Sequence, residues 1–297
     1  FTARALSDLE KRIQELTHEL LDEVEKQDRV DLKQAYGLPI PATVISEIMG
    51  ISREEMPHFQ NLMRVLSTGL SGWSILRTLV WDLRRAMHFM RELIARKRLE
   101  PGDDILTGLI HAEEEGERLS EDELVAMVFL LIIAGFETTV NLITNGALTL
   151  LEHPDSVERL RAEPELWDSA VEEIVRYRGP IHSSKPQFAT EDVEWRGVMI
   201  PKGSAVFPLY GAANHDPAAF DSPEVFDIAR APNKHLGFGW GPHFCLGASL
   251  ARMETRITLK TLLERNPKLR MAVPAEELRV HPAPGWHRYE SLPVVLG

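Results

Sequence analysis

The chain has 297 residues, enough to bury a large core, and its 44% hydrophobic and 26% charged composition is that of an ordinary globular protein. A net charge of −12 disfavours nucleic acid as a partner, because polyanion binders carry basic surfaces. The single cysteine, Cys245, forbids an internal disulfide and fits a reducing cytoplasm.

The opening "FTARALSDLEKRIQ" is polar and amphipathic, unlike a secretory signal. Leu9, Ile13, Leu16, Leu20 and Val24 recur every three or four residues, which predicts a helix with one buried stripe. Pro39 and Pro41 punctuate the chain, and a short helix follows. Residues 52–68 and 73–98 read as two more helices, the second with a basic, solvated outer face. "PGDD" at 101–104 breaks the pattern. Ser120 and Glu123 then form a capping box for a long helix reaching about Leu151, where "EHPDS" ends it. Its apolar run "LVAMVFLLIIAGF", residues 124–136, is too short to span a bilayer and predicts a helix through the centre of the molecule.

After Tyr177 the texture changes to short strands, with turns at Arg196-Gly197 and Lys202-Gly203. "SLARMETRITLKTLLER" is a further amphipathic helix, and the tail reads as irregular strands. The expectation is a mainly α (α+β) domain with a small β region.

Cys245 stands in "FGWGPHFCLG", residues 238–247, at the mouth of that last helix. Gly237, Gly239 and Gly241 let a backbone approach a flat ligand. Backbone N–H groups at a helix start favour the thiolate, the form that ligates metals. An inert buried thiol is the commoner meaning of a lone cysteine. A catalytic thiol would take His243 as its base. Zinc needs several Cys or His ligands, and the loop offers only Cys245 and His243. One thiolate suffices for haem, whose porphyrin supplies four ligands.

The run Phe238-x-x-Gly241-x-x-x-Cys245-x-Gly247 resembles the haem-ligand signature of the cytochrome P-450 family of haem-thiolate monooxygenases. Three more stretches match in order. "AGFETT", residues 134–139, is similar to the family's oxygen-activation motif. The resemblance implies that Ala134 and Gly135 leave space above a porphyrin, and that Glu137 and Thr138 deliver protons for dioxygen activation. Read alone, the same residues permit Thr138 to bond back to a helical carbonyl and Glu137 to face water. Glu173-x-x-Arg176 resembles the family's buried pair behind the cysteine loop, with Arg230 as third member. "AANHDP" and "NKHLGFG" match bacterial members. There the resemblance implies that Phe238, Gly239 and Gly247 line the haem, that His243 bonds a propionate, and that His235 is a weaker candidate for that bond.

The resemblance thus implies a P-450-type fold with a long central helix, a helical bundle and a small β region. It implies haem b as cofactor, Cys245 as axial iron ligand, and O2 and a small apolar molecule as substrates. Electrons would come from NAD(P)H through a ferredoxin reductase and a ferredoxin. Arg252, Arg256 and Lys260 would offer the ferredoxin a basic patch, or form a plain solvated face at that spacing, and Trp73 and Trp81 would line the substrate pocket or belong to the core. The expected setting is cytoplasmic, without membrane. Family chains run longer, so residues 1–297 are expected to form one domain lacking its N-terminal portion. Gln187 stands where bacterial relatives usually place a propionate-pairing Arg, and Lys185 is the candidate substitute. A non-catalytic or haem-deficient member acting as a partner or scaffold is the alternative. A peroxide-driven enzyme is a third reading, against which Glu137 and Thr138 count.

Overall fold

A computed structural model describes residues 3–52, 54–69, 78–114 and 120–296. The chain divides into two compact units, Phe1–Val140 and Asn141–Gly297. Their boundary falls inside one continuous helix.

In the first unit, α1 (Ala3–Val24) buries Ile13, Leu16, Leu21 and Val24 on one stripe. A short strand, β1 (Arg29–Asp31), and a wide helical turn, Lys33–Gly37, lead into α2 (Pro39–Ile48). Pro39 fits the first helical position, where no N–H is needed. Arg12 Nε donates to Glu47 Oε1 at 2.9 Å, joining α1 to α2. Two further helices, α3 (Met56–Gly69) and α4 (Leu83–Leu99), flank the wide turn Thr78–Asp82. The face of α4 holding Ala86, Phe89, Met90, Leu93 and Ile94 is buried. Before α5 (Ile105–Glu114), Asp104 caps Thr107 N at 2.8 Å and receives Lys97 Nζ at 2.6 Å.

The long helix α6 (Glu121–Glu152) opens on the expected capping box: Ser120 N and Oγ both donate to Glu123 Oε2 at 2.8 Å. Its burial is uneven. Ala126, Leu130 and Ala134 are exposed at a spacing of four, whereas every residue from 141 to 150 is buried. The apolar run predicted to pass through the centre of the molecule therefore keeps one open stripe. Among the described residues α6 alone is long and apolar enough to cross a membrane, and half of that stretch is buried as in a core helix.

The second unit packs the end of α6 with α7 (Pro154–Ala162), α8 (Trp167–Arg178) and α9 (Ala248–Arg265). Gly146 permits this meeting: a Cβ there would lie 2.7 Å from Leu259 Cδ1 and 3.2 Å from Ile174 Cγ2. Asn145 Nδ2 donates to the carbonyls of Arg178 and His287, both at 3.0 Å.

Among the described residues, three antiparallel strand pairs lie in this unit, besides isolated bridges at Ile181–Trp286 and Val280–Tyr289. Strand β2 (Gln187–Phe188) pairs with β5 (Ala205–Val206), and β6 (Arg270–Met271) pairs with β7 (Pro293–Val295). The hairpin of β3 (Val193–Trp195) and β4 (Val198–Ile200) turns at Arg196 and Gly197, with φ of 50° and 80°. Two central residues with positive φ match the right-handed twist of the strands, as the Arg-Gly signal predicts.

Candidate functional site

The cysteine loop rests on a buried ionic core. Glu173 and Arg176 are both wholly buried and paired through two bonds, Nε to Oε2 and Nη2 to Oε1, each 2.8 Å. Spacing of three puts them on one face of α8. Arg230 Nε donates to both Glu173 oxygens at 3.1 Å, Asn233 Nδ2 to Oε2 at 3.0 Å, and the Asp227 amide to Oε1 at 2.9 Å. The remaining Arg176 donors reach the carbonyls of Asn214, Pro223 and Val225. Burying charge is tolerated only when it is paired and hydrogen-bonded, and here each of these bonds is charge-assisted. Asn214 carries the network onward, because its Oδ1 accepts the Leu236 amide at 2.7 Å.

From Leu236 the backbone makes two positive-φ turns, at Gly239 (74°) and Gly241 (73°). The Cys245 amide closes the loop by donating to Phe238 O at 2.9 Å. Residues 241–246 are all exposed, with Trp240 at 83% and Leu246 at 73%. A Cβ at Gly241 or Gly247 would meet nothing within 4 Å. Cys245 is a free thiol open to solvent on one side. The atoms packed on its other sides push the thiol up, against the opposing pull of the Gly247 amide and the Arg252 charge. The helix start alone therefore does not depress this thiol, contrary to the expectation from sequence.

A rigid loop presenting one soft donor within an open apolar face fits a flat apolar macrocycle that needs one axial ligand. Among the described residues no cluster of three or more His, Cys, Asp or Glu could hold a metal ion by itself.

His243 lies in the exposed turn Gly241–His243, on the open side of the loop. His235 does not share that freedom. Its Nδ1 accepts the Gly237 amide at 3.1 Å, so its proton sits on Nε2, 2.9 Å from Glu172 Oε2. Both ring nitrogens are engaged within the protein, which leaves no donor for a propionate. Glu172 also binds Arg252, with Nε to Oε1 at 2.5 Å and Nη2 to Oε2 at 2.9 Å. The Arg252 guanidinium lies 4.4 Å from the centroid of the Phe238 ring. Arg252 is thus a brace behind the loop. Arg256 approaches Asp168 at 3.6 Å and Lys260 approaches Glu264 at 3.9 Å. Each cation of the expected basic patch thus has a carboxylate within 4 Å, and that of Arg252 is the closest.

The residues of the other motif lie in the first unit. Thr138 Oγ1 donates to Ala134 O at 2.5 Å, and Glu137 is 8% exposed. The threonine thus makes the backbone bond that sequence left open, and the acid is buried. Ala134 is on the open stripe with Leu130, and Thr138 is half-buried one turn further on. Gly135 is turned elsewhere: a Cβ there would lie 2.8 Å from Ile45 Cδ1, so its small size serves packing onto α2. Gln187 and Lys185 are both exposed. Trp81 is 65% exposed, and Trp73 falls outside the described residues. Sequence reasoning missed Glu172, Asn214 and Asn233. Their partners lie 22 to 80 residues away, and no local spacing marks them.

The chain is similar to known proteins over its whole length. The family model for cytochrome P450 matches residues 84–267. Cytochrome P450 107B1 of Saccharopolyspora erythraea is 44% identical over 297 residues, covering 100% of this chain and 72% of that protein. The polyketide biosynthesis cytochrome P450 PksS of Bacillus subtilis is 40% identical, over 100% of this chain and 73% of its own. Its solved structure superposes with a TM-score of 0.94, covering 100% of this chain and 76% of that one. The crystal structure of P450BioI in complex with a hexadec-9Z-enoic acid-ligated acyl carrier protein gives 0.91 at 37% identity, covering 100% and 76%. The chain belongs to the cytochrome P450 family. It is accordingly an oxidoreductase of the monooxygenase class, with haem b as its cofactor and O2 as a substrate.

Proposed function

We propose that Cys245 is the axial ligand of the haem and that the protein inserts one oxygen atom from O2 into an apolar organic molecule. The observation that carries this reading is the open apolar run 240–246 around the chain's only thiol, braced from behind by buried ion pairs. When bound, the haem supplies the redox chemistry that activates dioxygen. The protein's own residues divide the remaining work. Trp240, Phe244 and Leu246 exclude water from the thiolate side. His243 and Lys185 are the donors for propionates, Lys185 in place of the arginine that Gln187 replaces. Thr138 Oγ1 holds a proton at the open stripe of α6, and Glu137 beside it resupplies that proton from solvent.

The substrate class we infer is an acyl or polyketide-like chain, small and apolar. Two similar proteins support it, a bacillaene polyketide synthase P450 and a P450 crystallised with an acyl-loaded carrier protein. Electrons come from NAD(P)H through a reductase and a ferredoxin, in the cytoplasm. With Arg252, Arg256 and Lys260 beside carboxylates, steering of that ferredoxin depends on other cations. The test is turnover of a fatty acid under labelled O2 with NADPH, ferredoxin and reductase. One labelled oxygen atom in the product is expected. A haem-free protein that turns over nothing would favour the scaffold reading, and equal turnover with peroxide alone would favour a peroxide-driven enzyme.

A further inference from the structure

Glu172 is the point where both ends of the cysteine loop are tied to α8. One of its oxygens takes Arg252 Nη2 and His235 Nε2 together, and the other takes Arg252 Nε. Burial pushes this carboxyl up, but the bonds from Arg252 and His235 outweigh it and hold the group down to about 2. Glu172 is therefore a carboxylate at any working pH. Towards the loop's start, the carboxylate accepts the Nε2 proton of His235, which leaves Nδ1 free to accept the Gly237 amide at 3.1 Å. Gly237 packs so closely on α8 that it has no room for a side chain, since a Cβ there would lie 2.3 Å from Val175 Cγ1. Towards the loop's end, the carboxylate holds Arg252 over the Phe238 ring, at 4.4 Å from its centroid. Phe238 in turn offers its carbonyl to the Cys245 amide at 2.9 Å. A planar guanidinium fixed by two bonds on one side and an aromatic face on the other has little freedom left.

We propose that Glu172 is a positioning residue for Cys245, acting through His235 on the turn at Gly237 and through Arg252 and Phe238 on the amide of Cys245. Glu172 does not touch the reacting atoms. It sets the direction in which the sulfur faces, as groups behind a metal ligand commonly do. The inference rests on the reading of Cys245 as the iron ligand, and its test separates the two.

The experiment uses the full-length haem protein, reduced under carbon monoxide, and follows the red-shifted Soret band of the thiolate form over time in mild urea. With Glu172→Ala the half-life of that band is expected to shorten about tenfold, the low end of the usual cost of losing an orienting group. Arg252→Ala should do the same, and the double variant should add little, because both act along one path. Glu172→Gln keeps the size and one acceptor, so it guards against a folding defect and should fall between. In the haem-free protein, amide exchange at Gly237 and Cys245 should quicken in Glu172→Ala while amides of α7 stay unchanged. Wild-type half-lives in both Glu172 variants, or fully additive effects of Glu172→Ala and Arg252→Ala, would overturn the positioning role alone. Absence of the thiolate band from the wild-type protein would overturn the ligand reading, and the positioning role with it.

Discussion

Arg176 is a wholly buried cation with its donors spread over one carboxylate and three carbonyls. Removing it leaves three carbonyls without their donor and Glu173 with only Arg230, Asn233 and the Asp227 amide, so Arg176→Ala should cost about 3–5 kcal/mol in denaturant unfolding. A loss under about 1 kcal/mol, the scale of a surface pair, would contradict the buried network. Thr138 is the proposed proton donor on α6, and Thr138→Val removes the hydroxyl while keeping the shape. Product formation per NADPH consumed should fall about 100-fold, the lower bound for loss of a positioned proton donor. Unchanged coupling would leave Thr138 with only its bond to Ala134 O. Glu254 on α9 has the opposite character to Glu172. Burial raises its carboxyl from 4.5 to about 8, so the folded state holds a proton that the unfolded state releases. Stability should then decline as pH rises from about 4.5 to 8, and Glu254→Gln should flatten that decline when unfolding is followed across this range. An identical slope in the variant would show that this carboxyl is not the cause.

At the scale of elements, α6, α8 and α9 meet where Gly146 leaves out a side chain. Gly146→Ala would press on Leu259 and Ile174, and overpacking of this kind costs about 1–3 kcal/mol. Thermal unfolding should register the loss, and a gain from the better helix former would show that the contact is slack. The start of α6 was legible in sequence because Ser120 and Glu123 satisfy each other's orphan groups within one turn. The Arg196-Gly197 hairpin was legible because only a few residue pairs accept its φ angles. The alternation of buried and open faces along α6 was not legible, since Leu130 and Leu124 are the same residue type with 60% and 0% exposure. The partners of the α9 cations were not legible for a related reason. Spacing of four predicts a common face, yet the carboxylate that neutralises Arg252 comes from a different helix, 80 residues earlier.

For the whole molecule, the order of motifs along the chain carried more than any one of them. A lone cysteine, an acid followed by two threonines and a Glu-x-x-Arg pair each have commonplace meanings. Their sequence order and the glycine loop around the thiol identified the family, and superposition on PksS at a TM-score of 0.94 agrees. What order alone could not supply was the wiring behind the loop, in which Glu172 and Glu173 serve two separate networks from adjacent positions. The central claim is that Cys245 gives its sulfur to the iron of the haem. The most direct measurement is the absorbance spectrum of the purified protein, reduced under carbon monoxide, beside that of Cys245→Ser. A red-shifted Soret band in the wild type and its disappearance in the variant are the expected results. A wild type without that band, or a variant that keeps it, would contradict the account.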